Sequence, residues 1–115
     1  MSVDQTLLVI SNTPDEAVAH QIAHALLERR LAACVNVQSP CRSIYTWNGR
    51  VEEAVEVPLA IKTTAQRYPA VQELIRELHP YEVPEIVAIP VAGGLPQYLA
   101  WVLQSCEAVT PTDTN

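Results

Sequence analysis

Phenylalanine is absent, and two Trp and four Tyr are the only aromatic residues in a chain of 115. Because 49% of the residues are still apolar, the interior must be assembled from Val, Ile, Leu and Ala, a composition that excludes a disordered chain. Basic residues are scarce as well. Seven Lys and Arg stand against thirteen Asp and Glu, a formal net charge of −6. Nucleic acids and anionic membranes are held by clustered cations that release counterions, and nothing basic clusters beyond Arg29-Arg30, so neither partner is expected. Long apolar runs are missing too: residues 7–10 are too few for a signal core or a membrane span, and the first five residues carry no positive charge. A cytoplasmic protein is expected. Cysteine is limited to Cys34, Cys41 and Cys106, an odd number without a CxxC pair, so structural disulfides are not expected in a reducing compartment.

What is present reads as one domain over residues 1–109, followed by a disordered tail, 110–115, of Thr, Pro, Asp and Asn that can bury nothing. A strand is expected over 6–11, its continuous apolar stretch pointing to burial on both faces. Thr13-Pro14-Asp15-Glu16 then opens a helix, with Thr13 as cap, Pro14 in the first position and Glu16 closing a capping box. Val18, Ile22, Ala25 and Leu26 form its buried stripe, and Arg29-Arg30 suit its negative end. Two long strands follow around Trp47-Asn48-Gly49-Arg50, where Asn-Gly supplies the two positive-φ residues of a tight hairpin turn. In the second strand Val51, Val55, Val57, Leu59 and Ile61 alternate with Glu52, Ala54, Glu56, Pro58 and Ala60, one face core and the other mostly polar. A strict two-residue turn would oppose Ile61 to Asn36. One extra residue in the first strand opposes Ile61 to Val35 and Leu59 to Val37 instead, which predicts a bulge near Ser39-Pro40-Cys41, where Pro40 has no N–H to donate.

Val71, Leu74, Ile75 and Leu78 mark a second helix that stops before Pro80. Residues 86–91 form the last strand, and Pro96 starts a third helix bearing Leu99, Val102 and Leu103. The order is that of an α+β, ferredoxin-like βαββαβ fold with an added C-terminal helix and a long central β-hairpin. Helices cover only one face of such a sheet. A ribbon of that length, over residues 34–62, offers an unpaired edge and an uncovered apolar strip, so association with sister chains is expected.

Particular strings carry more than the element order. Pro14-Asp15-Glu16, the run from Glu28 through Arg29-Arg30-Leu31-Ala32-Ala33-Cys34-Val35 to Asn36, and Tyr45-Thr46-Trp47-Asn48-Gly49 stand in the first half. Ile61-Lys62-Thr63-Thr64, His79-Pro80-Tyr81-Glu82-Val83-Pro84-Glu85 and Tyr98-Leu99-Ala100-Trp101 follow. In this order, over about residues 9–103, the chain resembles the CutA divalent-cation tolerance family. The resemblance implies a homotrimer of ferredoxin-like subunits in the cytoplasm, a role in divalent-cation tolerance, and copper binding as in some members. The match to the family's copper pattern is partial. Ser11 stands where such members carry Cys, and Leu78 precedes His79 where they carry two adjacent His, so only His79 carries over. Copper and zinc take three or four donors, so copper(II) or another divalent cation is expected as a weak ligand at most and as no essential cofactor.

Candidate residues follow. His79, Tyr81 and Glu82 fall in one short connection, and with Trp47 and Lys62 they predict a polar pocket at a subunit boundary. The competing reading, which is favoured, has His79 finishing its helix while Tyr81 and Glu82 hold a subunit contact. Glu16, His20 and His24, at i, i+4 and i+8, share one helix face that can capture copper or nickel adventitiously; an ordinary solvated face is the simpler account. Cys34 reads as a small buried hydrophobe, roughly 23 Å along the strand from Cys41 and unable to chelate with it. Cys41 is expected near the surface and Cys106 at the periphery. Tyr45 and Trp47 suit a ligand platform or an oligomer anchor, the anchor being the stronger expectation, and Thr63-Thr64 a strand end that caps the next helix. Gly93-Gly94 lacks a phosphate-cradling pattern, and no GxSxG or HExxH appears, so a non-enzymatic role is expected. Two alternatives stand beside it: a ligand-sensing trimer like the PII proteins, which share this architecture, and a structural module that docks another protein.

Overall fold

The computed structural model describes residues 2–107; the expected tail, 110–115, lies outside the described residues. Eight elements follow one another: β1 (Thr6–Thr13), α1 (Glu16–Glu28), β2 (Cys34–Val37), β3 (Cys41–Trp47), β4 (Arg50–Thr64), α2 (Tyr68–Leu78), β5 (Val87–Pro90) and α3 (Pro96–Ser105). The sheet runs β5-β1-β4, with β2 and β3 sharing the outer side of β4, and every pair is antiparallel. With β2 and β3 counted as one interrupted strand, this is the ferredoxin-like α+β order with a trailing helix.

The hairpin obeys its spacing. Asn48 (φ 51°) and Gly49 (φ 77°) both take positive φ, the requirement of the tight turn that brings Trp47 opposite Arg50. Val35 opposes Ile61 and Val37 opposes Leu59, whereas Cys41 already opposes Glu56. Residues 38–40 therefore face only Val57 and Pro58, one extra residue at Pro40, as expected.

Leu7, Val9, Val57, Leu59 and Ile61 pack under Ala19, Ile22 and Leu26 of α1 and Val71, Leu74 and Ile75 of α2. This face is the core. Burial of β1 on both faces does not occur: Leu8 and Ile10 are only half-buried, and with Ala60, Val87 and Ile89 they line a sheet face that the described residues leave largely open, Val87 and Ile89 each being 45% exposed. The apolar face of β4 is also divided. From Val57 onward its odd residues are buried, whereas Val51 and Val55 are 75% and 58% exposed, because β1 ends where Thr13 meets Val57 and, among the described residues, no helix reaches farther out. The molecule is accordingly elongated, 52 × 31 × 23 Å.

Three further expectations are corrected. Asp15, not Thr13, caps α1: it is extended (φ −160°) and its carboxylate accepts from the Val18 N–H at 2.9 Å. Thr13 still belongs to the ladder, and its hydroxyl donates to the Val57 carbonyl at 2.9 Å. The buried stripe of α1 is Ala19, Ile22, Ala23 and Leu26, turned by about one position from the expected one and leaving Val18 and Ala25 at its margin. Cys106 is buried rather than peripheral, its carbonyl accepting from Arg67 Nε at 2.6 Å; burial pushes the thiol pKa up, with a smaller opposing pull from its Thr63 hydrogen bond. Past α1, Leu31 N–H reaches the Leu26 carbonyl and Arg30 N–H that of Leu27, at 2.9 and 3.1 Å. This is a Schellman ending, with Arg30 in the left-handed conformation (φ 56°) usually taken by Gly.

Candidate functional site

His79 is the C-cap of α2, its N–H bonded to the Ile75 carbonyl at 2.8 Å. The ring is 5% exposed and spans two elements. Nδ1 accepts from the Tyr81 N–H at 3.1 Å, so the ring proton sits on Nε2, which donates to the Asn12 carbonyl at 2.7 Å. Both nitrogens are spent on backbone groups that β1 and the α2–β5 connection leave unpaired at this corner. Next to it, Ser11 Oγ is buried and meets no hydrogen-bond partner among the described residues.

Beyond that corner the connection approaches the ribbon at Glu56 and with it encloses a groove of about 680 Å³, lined by Ser43, Ile44, Tyr45 and Trp47 of β3, Glu56 of β4, and Tyr81, Glu82, Val83 and Glu85. Trp47, Tyr45, Ser43 and Glu56 lie on one face of the ribbon because they occupy alternate, cross-paired positions. The Tyr81 hydroxyl donates to Glu56 Oε2 at 3.5 Å, and Asn12 Nδ2 donates to Glu85 Oε1 at 3.2 Å, tethering the connection to β1. Partial burial, followed by the neighbouring Glu56 carboxylate, raises the Tyr81 phenol above its ordinary pKa. The lining holds three carboxylates and no Lys or Arg, so its field favours a cation, and its aromatic rings can take one on their faces.

Of the five residues grouped into the expected pocket, the structure brings Trp47, Tyr81 and Glu82 together, while His79 stays buried on its backbone partners. Lys62 is elsewhere. It stands in the row Cys34–Lys62–Leu8 on the uncovered sheet face, bonded to the Asn36 side chain and six residues, roughly 20 Å, along β4 from Glu56. Glu56 and Glu85 were not singled out as pocket residues by sequence reasoning. The available signal was the register: the extra residue near Pro40 sets Cys41 opposite Glu56 and so puts Glu56 on the ribbon face that carries Ser43, Tyr45 and Trp47. His20 and His24 lie exposed on α1 with ring centroids 6.4 Å apart. Cys34 is half-buried and Cys41 exposed. Thr64 ends β4 but does not cap α2, whose N-cap is Arg67.

A divalent transition metal would need several converging donors. Among the described residues no three of His, Cys, Asp and Glu converge on one point, and the His79 nitrogens are already engaged. A tight metal centre within one subunit does not fit these residues.

Comparison with known proteins places this geometry among relatives. The family described as "CutA1 divalent ion tolerance protein" matches residues 7–105. Protein CutA of Mus musculus is 50% identical over 101 residues, which are 88% of this chain and 57% of the mouse protein; the chain thus spans little more than half the length of that relative. The structure of the divalent cation tolerance protein Cut A1 of Thermus thermophilus superimposes with a TM-score of 0.87 at 46% identity, covering 89% of this chain and 99% of that one. A CutA structure from Archaeoglobus fulgidus, described as a periplasmic divalent cation tolerance protein, gives a TM-score of 0.85 at 34% identity over 89% and 99% of the two chains.

Proposed function

The chain belongs to the CutA1 divalent ion tolerance protein family, and from that premise we propose that it serves divalent-cation tolerance as a non-enzymatic, self-associating protein of the cytoplasm. One observation carries the self-association: β4 is fifteen residues long, and residues 50–56 are paired on the β3 side alone, with Val51 and Val55 exposed beside an open strand edge. Such an edge is completed by a strand from another chain, and a sister subunit presents the same complementary ribbon. A closed homotrimer satisfies all such edges at once. It also supplies cover for Leu8, Ile10, Val87 and Ile89.

Within that assembly the groove between β3 and the α2–β5 connection is the ligand site. Its charge suits cations, and loose carboxylate donors suit weak rather than tight capture of copper(II) or another divalent ion. The non-enzymatic reading is supported by the descriptions of the family and of its solved relatives, which name divalent-cation tolerance and no catalysed reaction. Native mass spectrometry of the intact protein at micromolar concentration tests the whole reading, because it reports subunit number and bound species together. A trimer that takes up divalent cations is expected; a lone protomer would sink the proposal.

The groove volume favours a second reading. About 680 Å³ lies within the range of roughly 300–1,000 Å³ typical of small-molecule sites, as for a PII-like sensor. A metabolite that raises the melting temperature of wild type but not of Trp47→Ala would decide for it.

A further inference from the structure

We propose that His20 and His24 on α1 form a two-imidazole site for a borderline transition-metal ion, copper(II) before nickel(II) or zinc(II), separate from the groove. The pair stands one helical turn apart, and residues at i and i+4 are neighbours on the helix surface. Their rings are exposed, nearly parallel at 27°, with centroids 6.4 Å apart. Metal–imidazole bonds are about 2 Å long, so a small rotation of each exposed side chain brings one nitrogen of each ring onto a shared ion.

The helix beneath them is rigid. Ala19, Ile22, Ala23 and Leu26 anchor its opposite face in the core, Asp15 caps its start and the Schellman ending fixes its close. The donors are therefore carried on a fixed scaffold, and little order need be created when the ion arrives. Glu16 and Glu28 lie one turn before and one turn after the pair. They do not converge on it, but both are exposed and add negative charge near an incoming cation. Two nitrogens with water completing the shell make a weak site, and divalent affinities at such a site rise to copper.

This placement differs from the expectation at His79, the one histidine that the family's copper pattern carries over. His79 is buried and its nitrogens are occupied; the pair on α1 is open. Position matters for assembly as well. α1 covers the core face of the sheet, opposite the face left for sister chains, so association leaves the imidazoles on the outside of every subunit.

Copper(II) titration of the full chain by calorimetry, with electron paramagnetic resonance of the loaded protein, tests the site. His20→Gln/His24→Gln is expected to lose at least tenfold in copper affinity and the nitrogen hyperfine signature, with an unchanged circular dichroism spectrum. Each single variant should lose most of the affinity, because the chelate needs both rings. Glu56→Gln, which alters the groove, should leave this binding intact, so failure here and failure of the groove reading are distinguishable. Copper binding retained in full by the double variant, or lost in Glu56→Gln instead, overturns the proposal.

Discussion

The two halves of β4 carry the same alternation of apolar and polar residues and meet different fates. Residues 57–64 lie between β1 and β2 under two helices, and Val57, Leu59 and Ile61 are buried. Residues 50–56 pair with β3 alone, and Val51 and Val55 stay exposed. Alternation therefore decides which face a side chain joins, while the lengths of the neighbouring elements decide whether that face is covered. The inner half is an ordinary core strand. The outer half is an adhesive ribbon, and its even face builds the groove.

The largest expected effect separates the halves directly. Ile61→Ala removes a fully buried side chain and should cost about 2–5 kcal/mol by chemical denaturation. The same truncation at Val55 should cost far less in the isolated subunit; equal costs would erase the distinction. At the boundary, His79→Ala strands the Asn12 carbonyl and the Tyr81 N–H, and should lower stability by about 1–3 kcal/mol while loosening the groove wall. A variant as stable as wild type would show that the imidazole does not hold the α2–β5 connection to β1.

Val55→Asp probes the outer half alone. It should weaken self-association about tenfold, some 1.4 kcal/mol, in sedimentation equilibrium, with the secondary structure of the subunit intact. Unchanged association would mean that the exposed edge is not the contact. The smallest expected change is a gain: Ser11→Ala removes a buried hydroxyl without a partner and should stabilise by about 1 kcal/mol, seen as a rise in melting temperature. A loss would place an unrecognised partner at that hydroxyl.

Legibility followed the range of the interactions. The bulge was readable because Pro40 lacks a donor and because the uninterrupted register opposes Ile61 to Asn36, both local facts. The turn at Asn48-Gly49 was readable for the same reason. The α1 cap was not, since whether the Thr13 hydroxyl serves the helix or the sheet depends on how far β1 pairs with Val57, forty-four residues away. Cys106 was misjudged because its burial comes from α3 docking beside Arg67 and Thr63, a contact that no periodicity encodes. At the groove, Tyr81 and Glu82 were legible from their shared connection and Trp47 from the hairpin tip. Glu56 read as one more acid on a solvated face, and Lys62 was assigned to a pocket it does not line.

Period, turn chemistry and proline placement, all carried within a few residues of chain, settled the element order, the register of the long ribbon and the ferredoxin-like class. Which carboxylates share a groove, which imidazole is locked and which stands free, and where the sheet stays bare were settled only by packing. Those outcomes depend on where separate elements end relative to one another in space, and burial and hydrogen-bond satisfaction are sums over distant partners that no local pattern contains.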